Sequence, residues 1–234
     1  MNSKILWVTL ALALLGAGLQ ALAQDAKTPY PTMAPLGQYL MDRDAEIALA
    51  RSAAPEAISR DAEVAVLGQH GYETVAKGKN GFVCIVERAW MSSFDDPGFW
   101  NPRLRGPICY NPPASQTILP LTFKRTELVL AGLTKAEVIE GLRAFGKKEL
   151  RGTGPGAMSF MLSKAGYLGD AAGHWLPHLM FFVPQTEASA WGADVPGSPV
   201  FLGGERTGAP EPVTEFLIPV PKWSDGTPAP ADVH

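Results

Sequence analysis

His174 and His178 stand four residues apart in the run GHWLPHLMFFVP, residues 173–184. That spacing puts two imidazoles on one face of either a helix or an extended strand. Pro177 between them excludes the interior of a regular helix and points to an edge strand or a bulge. Imidazole is a common ligand of zinc and similar divalent ions. A third donor is on hand in His70, or in Asp95 of the Asp95-Asp96-Pro97-Gly98 stretch. The sharpest chemistry these residues offer is therefore metal-assisted hydrolysis, with His174 and His178 completed by His70 or Asp95. The plainer reading has His174 capping a turn while Trp175 and the Leu179, Phe181 and Val183 face pack into a core.

Asp95 and Asp96 precede Pro-Gly and read first as a solvated turn. An acid/base role would need a partner carboxylate such as Glu87 at a fitting distance. Trp100, Tyr110, Trp175, Trp191 and Trp223 fall mostly outside the periodic segments. Aromatics so placed line pockets for apolar or sugar-like ligands, or plug the edges of a sheet. With the two histidines, Trp100, Tyr110 and Trp175 make the candidate binding set. Cys84 and Cys109 are the only cysteines, and an oxidising compartment would join them. No G-x-S-x-G, S-x-x-K, H-E-x-x-H or C-x-x-C motif occurs, so the familiar hydrolase and redox signatures are absent. The glycine-rich GTGPG at 152–156 follows a helix pattern and lacks Gly-Lys-Ser/Thr, so it is not a phosphate loop.

The elements that must position these residues follow from periodicity. Residues 42–53 predict a helix with Asp42 or Asp44 as its cap and acidic residues in its first turn. EVAVL (63–67), YETVAK (72–77) and FVCIVER (82–88) read as three strands joined by Gln69-His70-Gly71 and by a turn containing Asn80-Gly81. The third is apolar on both faces, as a doubly covered central strand must be. Residues 91–113 show no period and carry five prolines; a loop of that length is usually functional or a cover. A helix is expected over 115–131. Thr134 and Glu137 then form a capping box, with Val138, Leu142 and Phe145 on the buried stripe. Strands are expected over 157–163, 178–183 and 213–221. Together these predict an α+β fold, a single antiparallel sheet of two groups of about three strands with helices packed on one face.

The chain has 234 residues, 46% hydrophobic and 18% charged, with a net charge of −3. Disorder driven by charge is excluded, and no basic footprint for nucleic acid exists. Lys4, the apolar run Ile5–Leu15 and Ala21-Leu22-Ala23 have the order of a cleaved export signal. The expected organisation is a signal peptide at 1–23, an extended leader at 24–40, one domain at 41–226 and a frayed tail at 227–234. No later apolar stretch approaches the roughly 20 residues of a membrane span.

GHWLPHLMFFVP, followed by KWSDGTP at 222–228, resembles exported bacterial proteins of uncharacterised activity. The resemblance implies a bacterial protein of the periplasm or the medium and carries no activity or site with it. The leading functional expectation is a non-enzymatic, soluble module that binds a small molecule or an envelope protein. The alternatives are the hydrolase above, with zinc or a similar metal, and an envelope-associated structural protein without a ligand.

Overall fold

A computed structural model describes residues 29–149, 152–169, 176–204 and 210–230. Helix α1 (Arg43–Arg51) and the short α2 (Glu56–Ser59) lead into strands β1 (Glu63–Gly68), β2 (Gly71–Ala76) and β3 (Val83–Glu87). Then come β4 (Gly106–Tyr110), α3 (Pro112–Thr117), α4 (Leu119–Leu130) and α5 (Lys135–Glu149). Strands β5 (Met158–Met161), β6 (His178–Pro184), β7 (Phe201–Leu202) and β8 (Val213–Pro219) complete the order. All eight lie in one sheet, β2-β1-β3-β4-β5-β6-β8-β7. No helix among the described residues is long and apolar enough to cross a membrane.

The sheet is mixed, which corrects the antiparallel expectation. Strand β2 folds back on the outer side of β1, and β3 returns on the inner side, so β1 and β3 run parallel while every other pair is antiparallel. The chain crosses beneath β1 at Gly78, where a Cβ would stand 2.3 Å from the Glu63 amide nitrogen. Any side chain there would displace backbone. The sheet is single, as expected, but has eight strands rather than two groups of about three, with β4 bridging β3 and β5 and β7 added beside β8.

That bridging strand lies inside the stretch expected to be loop. Cys84 and Cys109 face each other across β3 and β4 with Cα atoms 4.0 Å apart, and they are disulfide-bonded. So close an approach marks a non-hydrogen-bonded pair. Two residues along, Pro107 opposite Val86 is then also in a non-hydrogen-bonded position toward β3. Its missing N–H faces the β5 side, where pairing involves only Cys109 and Tyr110. The proline costs no ladder bond.

Helices cover both faces, a second correction. Successive residues of β3 and β4 alternate between two cores, as strand geometry requires. Cys84, Val86 and Cys109 pack with Ala50 and Ala53 at the end of α1, whereas Ile85, Ile108 and Tyr110 pack with Ala114, Ile118 and Leu119 of α3 and α4. A third cluster joins Tyr39, Trp90 and Phe99 to Leu121, Val138 and Leu142. Tyr39 belongs to the stretch expected as leader; it is fully buried, and its hydroxyl donates to the Trp100 carbonyl at 2.8 Å. On β6 the buried residues are His178, Met180 and Phe182. The expected core face of Leu179, Phe181 and Val183 is the more open one, because the thicker helical layer lies on the other side of the sheet.

Local signals agree elsewhere. The Asp42 carboxylate accepts from the Ala45 amide at 3.0 Å, capping α1. The Thr134 amide donates to Glu137 Oε2 at 2.8 Å, closing the capping box of α5.

Candidate functional site

The sheet face under α4 is not filled completely. Between α4, strands β3, β4, β6 and β8, and the segments at 91–96, 185–188 and 202–204 lies a cavity of about 890 Å³. Its floor and apolar side are Met180 and Phe182 of β6 with Ile118 and Leu121 of the helical layer. Phe182 stacks on Tyr110, with ring centroids 6.1 Å apart.

Its polar side is built by strand phase. Glu87 follows Val83 and Ile85 on the inward face of β3, and Glu215 sits between Val213 and Leu217 on the inward face of β8. Both carboxyls therefore point where a core residue would normally sit. Tyr110, on β4, donates its hydroxyl to Glu87 Oε1 at 2.6 Å and shares a 3.1 Å hydrogen bond with Thr122 Oγ1 of α4. Arg125, one helical turn from Thr122, lies over the Phe94 ring at 4.0 Å. Its guanidinium donates to the Ser92 carbonyl at 2.6 Å and stands 3.6 Å from Glu211 Oε1. Asp96 accepts from the Gly98 amide at 2.5 Å.

The electrostatic result is a pair of acids held near neutrality. Desolvation raises Glu87 from 4.5 to about 7, against the opposing pull of the Tyr110 hydrogen bond and the Arg125 charge. Desolvation raises Glu215 to about 8, helped by the negative charges of Glu87 and Glu211 and opposed by Arg125. Burial also lifts the Tyr110 phenol well above its ordinary value, so it remains a donor. At pH 7 Glu215 is thus mostly protonated and can donate a hydrogen bond, or give up its proton when a charged partner arrives, while Glu87 stands near the midpoint of its titration.

No protein-family model matches the chain, and no curated protein or solved structure matches it either.

Of the residues singled out by sequence, Tyr110 lines this cavity and Trp100 does not. The Trp100 ring packs edge-on against Phe99 at 4.6 Å, among the buried aromatics beside Tyr39. His174 and Trp175 lie outside the described residues, as do residues 1–23. His178 is buried, with Nδ1 2.7 Å from the Leu176 carbonyl, and burial lowers its pKa. His70 is exposed at the β1–β2 turn. Asp95 is exposed, while its neighbour Asp96 turns to the cavity. Among the described residues the structure does not gather His70, Asp95 and His178, and no three His, Cys, Asp or Glu side chains form a metal-binding group.

The residues that make the site were mostly unmarked by motif. Glu87 was visible only as a partner for Asp95 or Asp96; its actual partners are Tyr110 and Arg125. Glu215, Thr122 and Arg125 had one readable signal: a charged or polar residue in phase with the buried face of an otherwise apolar element.

Proposed function

We propose that this chain is a non-enzymatic module, working outside the cytoplasm, that binds a small molecule in the cavity beneath α4. The observation that carries the reading is the placement of Glu87 and Glu215. Two carboxyls on inward strand positions destabilise a fold that apolar residues would serve better, and they do so at a face where a cavity of ligand size has been left. Burial of a drug-sized molecule there would leave its polar end against the carboxyls and Tyr110, and its apolar body against Met180, Phe182 and Leu121. The Cys84–Cys109 bond and the N-terminal signal pattern support an exported protein. Intact mass of the protein from its bacterial host should then begin at Gln24.

The binding reading is tested by thermal denaturation against a chemically broad fragment set. A ligand present at 100 times its Kd stabilises the folded state by about 2.7 kcal/mol, which raises Tm by roughly 5–10 °C for a domain of this size. Met180→Trp, which fills the floor, should abolish the shift. Absence of any shift across the set, or shifts that survive Met180→Trp, would overturn the reading.

A further inference from the structure

The charges around the cavity do not balance. Its described lining carries Glu87, Asp96, Glu187, Glu211 and Glu215 against one side-chain cation, Arg125. That cation is committed elsewhere: to the Ser92 carbonyl, to the Phe94 ring and to Glu211. Asp96 is turned back on the Gly98 amide. Glu87 keeps one oxygen on the Tyr110 hydroxyl. Among the described residues, none gives the Glu215 carboxyl a hydrogen bond or an ion pair, and the space it faces is the cavity. Beside it the chain is glycine: a Cβ on Gly203 would stand 2.4 Å from Glu215 Oε1, so any larger residue would push the carboxyl from its place.

A second observation is independent of the acids. Ser159 of β5 is in register with Tyr110 on one side and Met180 on the other, so its side chain rises from the same face between two cavity-lining residues. The residue is fully buried, and its hydroxyl has no hydrogen-bond partner among the described residues. Buried hydroxyls are ordinarily satisfied. An unmet hydroxyl under the floor and an unmet carboxyl in the wall are the marks of a polar network that the chain alone does not complete.

We infer that the cavity receives an organic amine, with its ammonium seated between Glu215 and Glu87 and its apolar body over Met180 and Phe182. This rests on the small-molecule reading above and specifies its ligand. The ammonium supplies counter-charge beyond that of Arg125, the one cation of the described lining. On binding, Glu215 gives its proton to solvent and becomes the carboxylate that accepts from the ammonium; no covalent bond changes. The groups facing this pair are Tyr110 from β4, Arg125 from α4, Glu211 before β8, and each glutamate for the other. Arg125 is the sole repulsive group for a cation among them, and the Phe94 ring and Glu211 hold it to one side.

The test uses three matched probes: 4-phenylbutylamine, 4-phenylbutanol and 4-phenylbutyrate. They are titrated calorimetrically into the intact, disulfide-bonded protein at pH 7 in two buffers of different ionisation enthalpy. The amine should bind about tenfold more tightly than the alcohol, the margin between a charge-assisted and a neutral hydrogen bond. The butyrate should be weakest. Amine binding alone should release protons to the buffer, and Glu215→Gln should remove both that release and the preference over the alcohol. Glu215→Gln is isosteric, and its Tm and tryptophan fluorescence establish that it is folded. Equal or tighter binding of the alcohol or butyrate overturns the cation assignment and leaves the cavity as the site. Silence from all three probes also overturns the assignment, and the broad fragment set then decides separately whether the cavity binds anything.

Discussion

Replacing Glu87 and Glu215 together by glutamine should make the protein more stable at neutral and alkaline pH but not at pH 5. Each acid has an ordinary value of 4.5 and a folded value of about 7 or about 8. Below pH 4.5 both states hold these protons, and the pair contributes nothing to the pH dependence. As pH rises from 4.5 to about 8, the unfolded chain gives up its protons while the folded chain retains them. The folded state then binds more protons, so wild-type stability falls with rising pH across that window and levels off above it. Complete transfer of the shift would cost about 3 kcal/mol or more per group. Both side chains are partly open to the cavity, where water screens them, so the pair together is worth about 2–4 kcal/mol. His178 acts in the opposite sense: burial lowers its pKa below 6.5, so it stabilises above that value and loses stability as pH falls. The comparison with Glu87→Gln/Glu215→Gln cancels this contribution. Urea unfolding at pH 5, 6, 7, 8 and 9 should show the variant gaining on wild type by about 2–4 kcal/mol across the series, or roughly 4–16 °C in Tm at pH 9. A difference that stays flat within about 0.5 kcal/mol, the usual size of a neutral surface effect, would refute the desolvated-pair account.

Three further outcomes follow from the framework of the fold. Reducing Cys84–Cys109, which closes a separation of 25 residues, should cost about 3 kcal/mol, read as a lower urea midpoint. Arg88→Met should cost about 3–5 kcal/mol, because it strands Glu46, which is buried 2.9 Å from that guanidinium while also accepting from the Leu67 amide. A double-mutant cycle with Glu46→Gln should show coupling, and additive effects would refute the pairing. Thr134→Ala should lose about 1 kcal/mol through the capping box, measured by thermal unfolding; a change below a few tenths would show that α5 is held by packing alone.

Local rules carried most of the elements. Short-range chemistry sets the Asp42 cap, the Thr134–Glu137 box and the β1–β2 turn, and each occurs where the sequence pattern places it. What failed was long-range. Whether β3 pairs with β1 or β2 depends on which side of the hairpin the chain returns, and no residue in FVCIVER encodes that. Strand β4 was hidden because prolines count against strands when read without partners. Its proline is harmless only because β5 stops short of it. FVCIVER, apolar on both sides, signals cover on both faces, but nothing in it says that α1 supplies one cover and α3 and α4 the other.

The site was hidden for a related reason. Histidines attract notice because their chemistry is rare, yet His178 is turned to its own backbone and His70 sits at the far side of the sheet. Glu87 and Glu215 belong to the commonest surface type, and only their phase distinguishes them. In FVCIVE and VTEFLIP the glutamate falls on the alternation that buries Val83 and Ile85 in one strand and flanks Val213 and Leu217 in the other. The opposite beat is no more open: Cys84 and Val86 pack under α1, and Thr214 and Phe216 are buried. Strand phase places both acids on the face that lines the cavity, with Tyr110 of β4, bonded to Glu87, and Phe182 of β6, in register with Glu215, lying between them. The continuity of the sheet from β3 through β4, β5 and β6 to β8 is what brings both carboxyls to one cavity under α4.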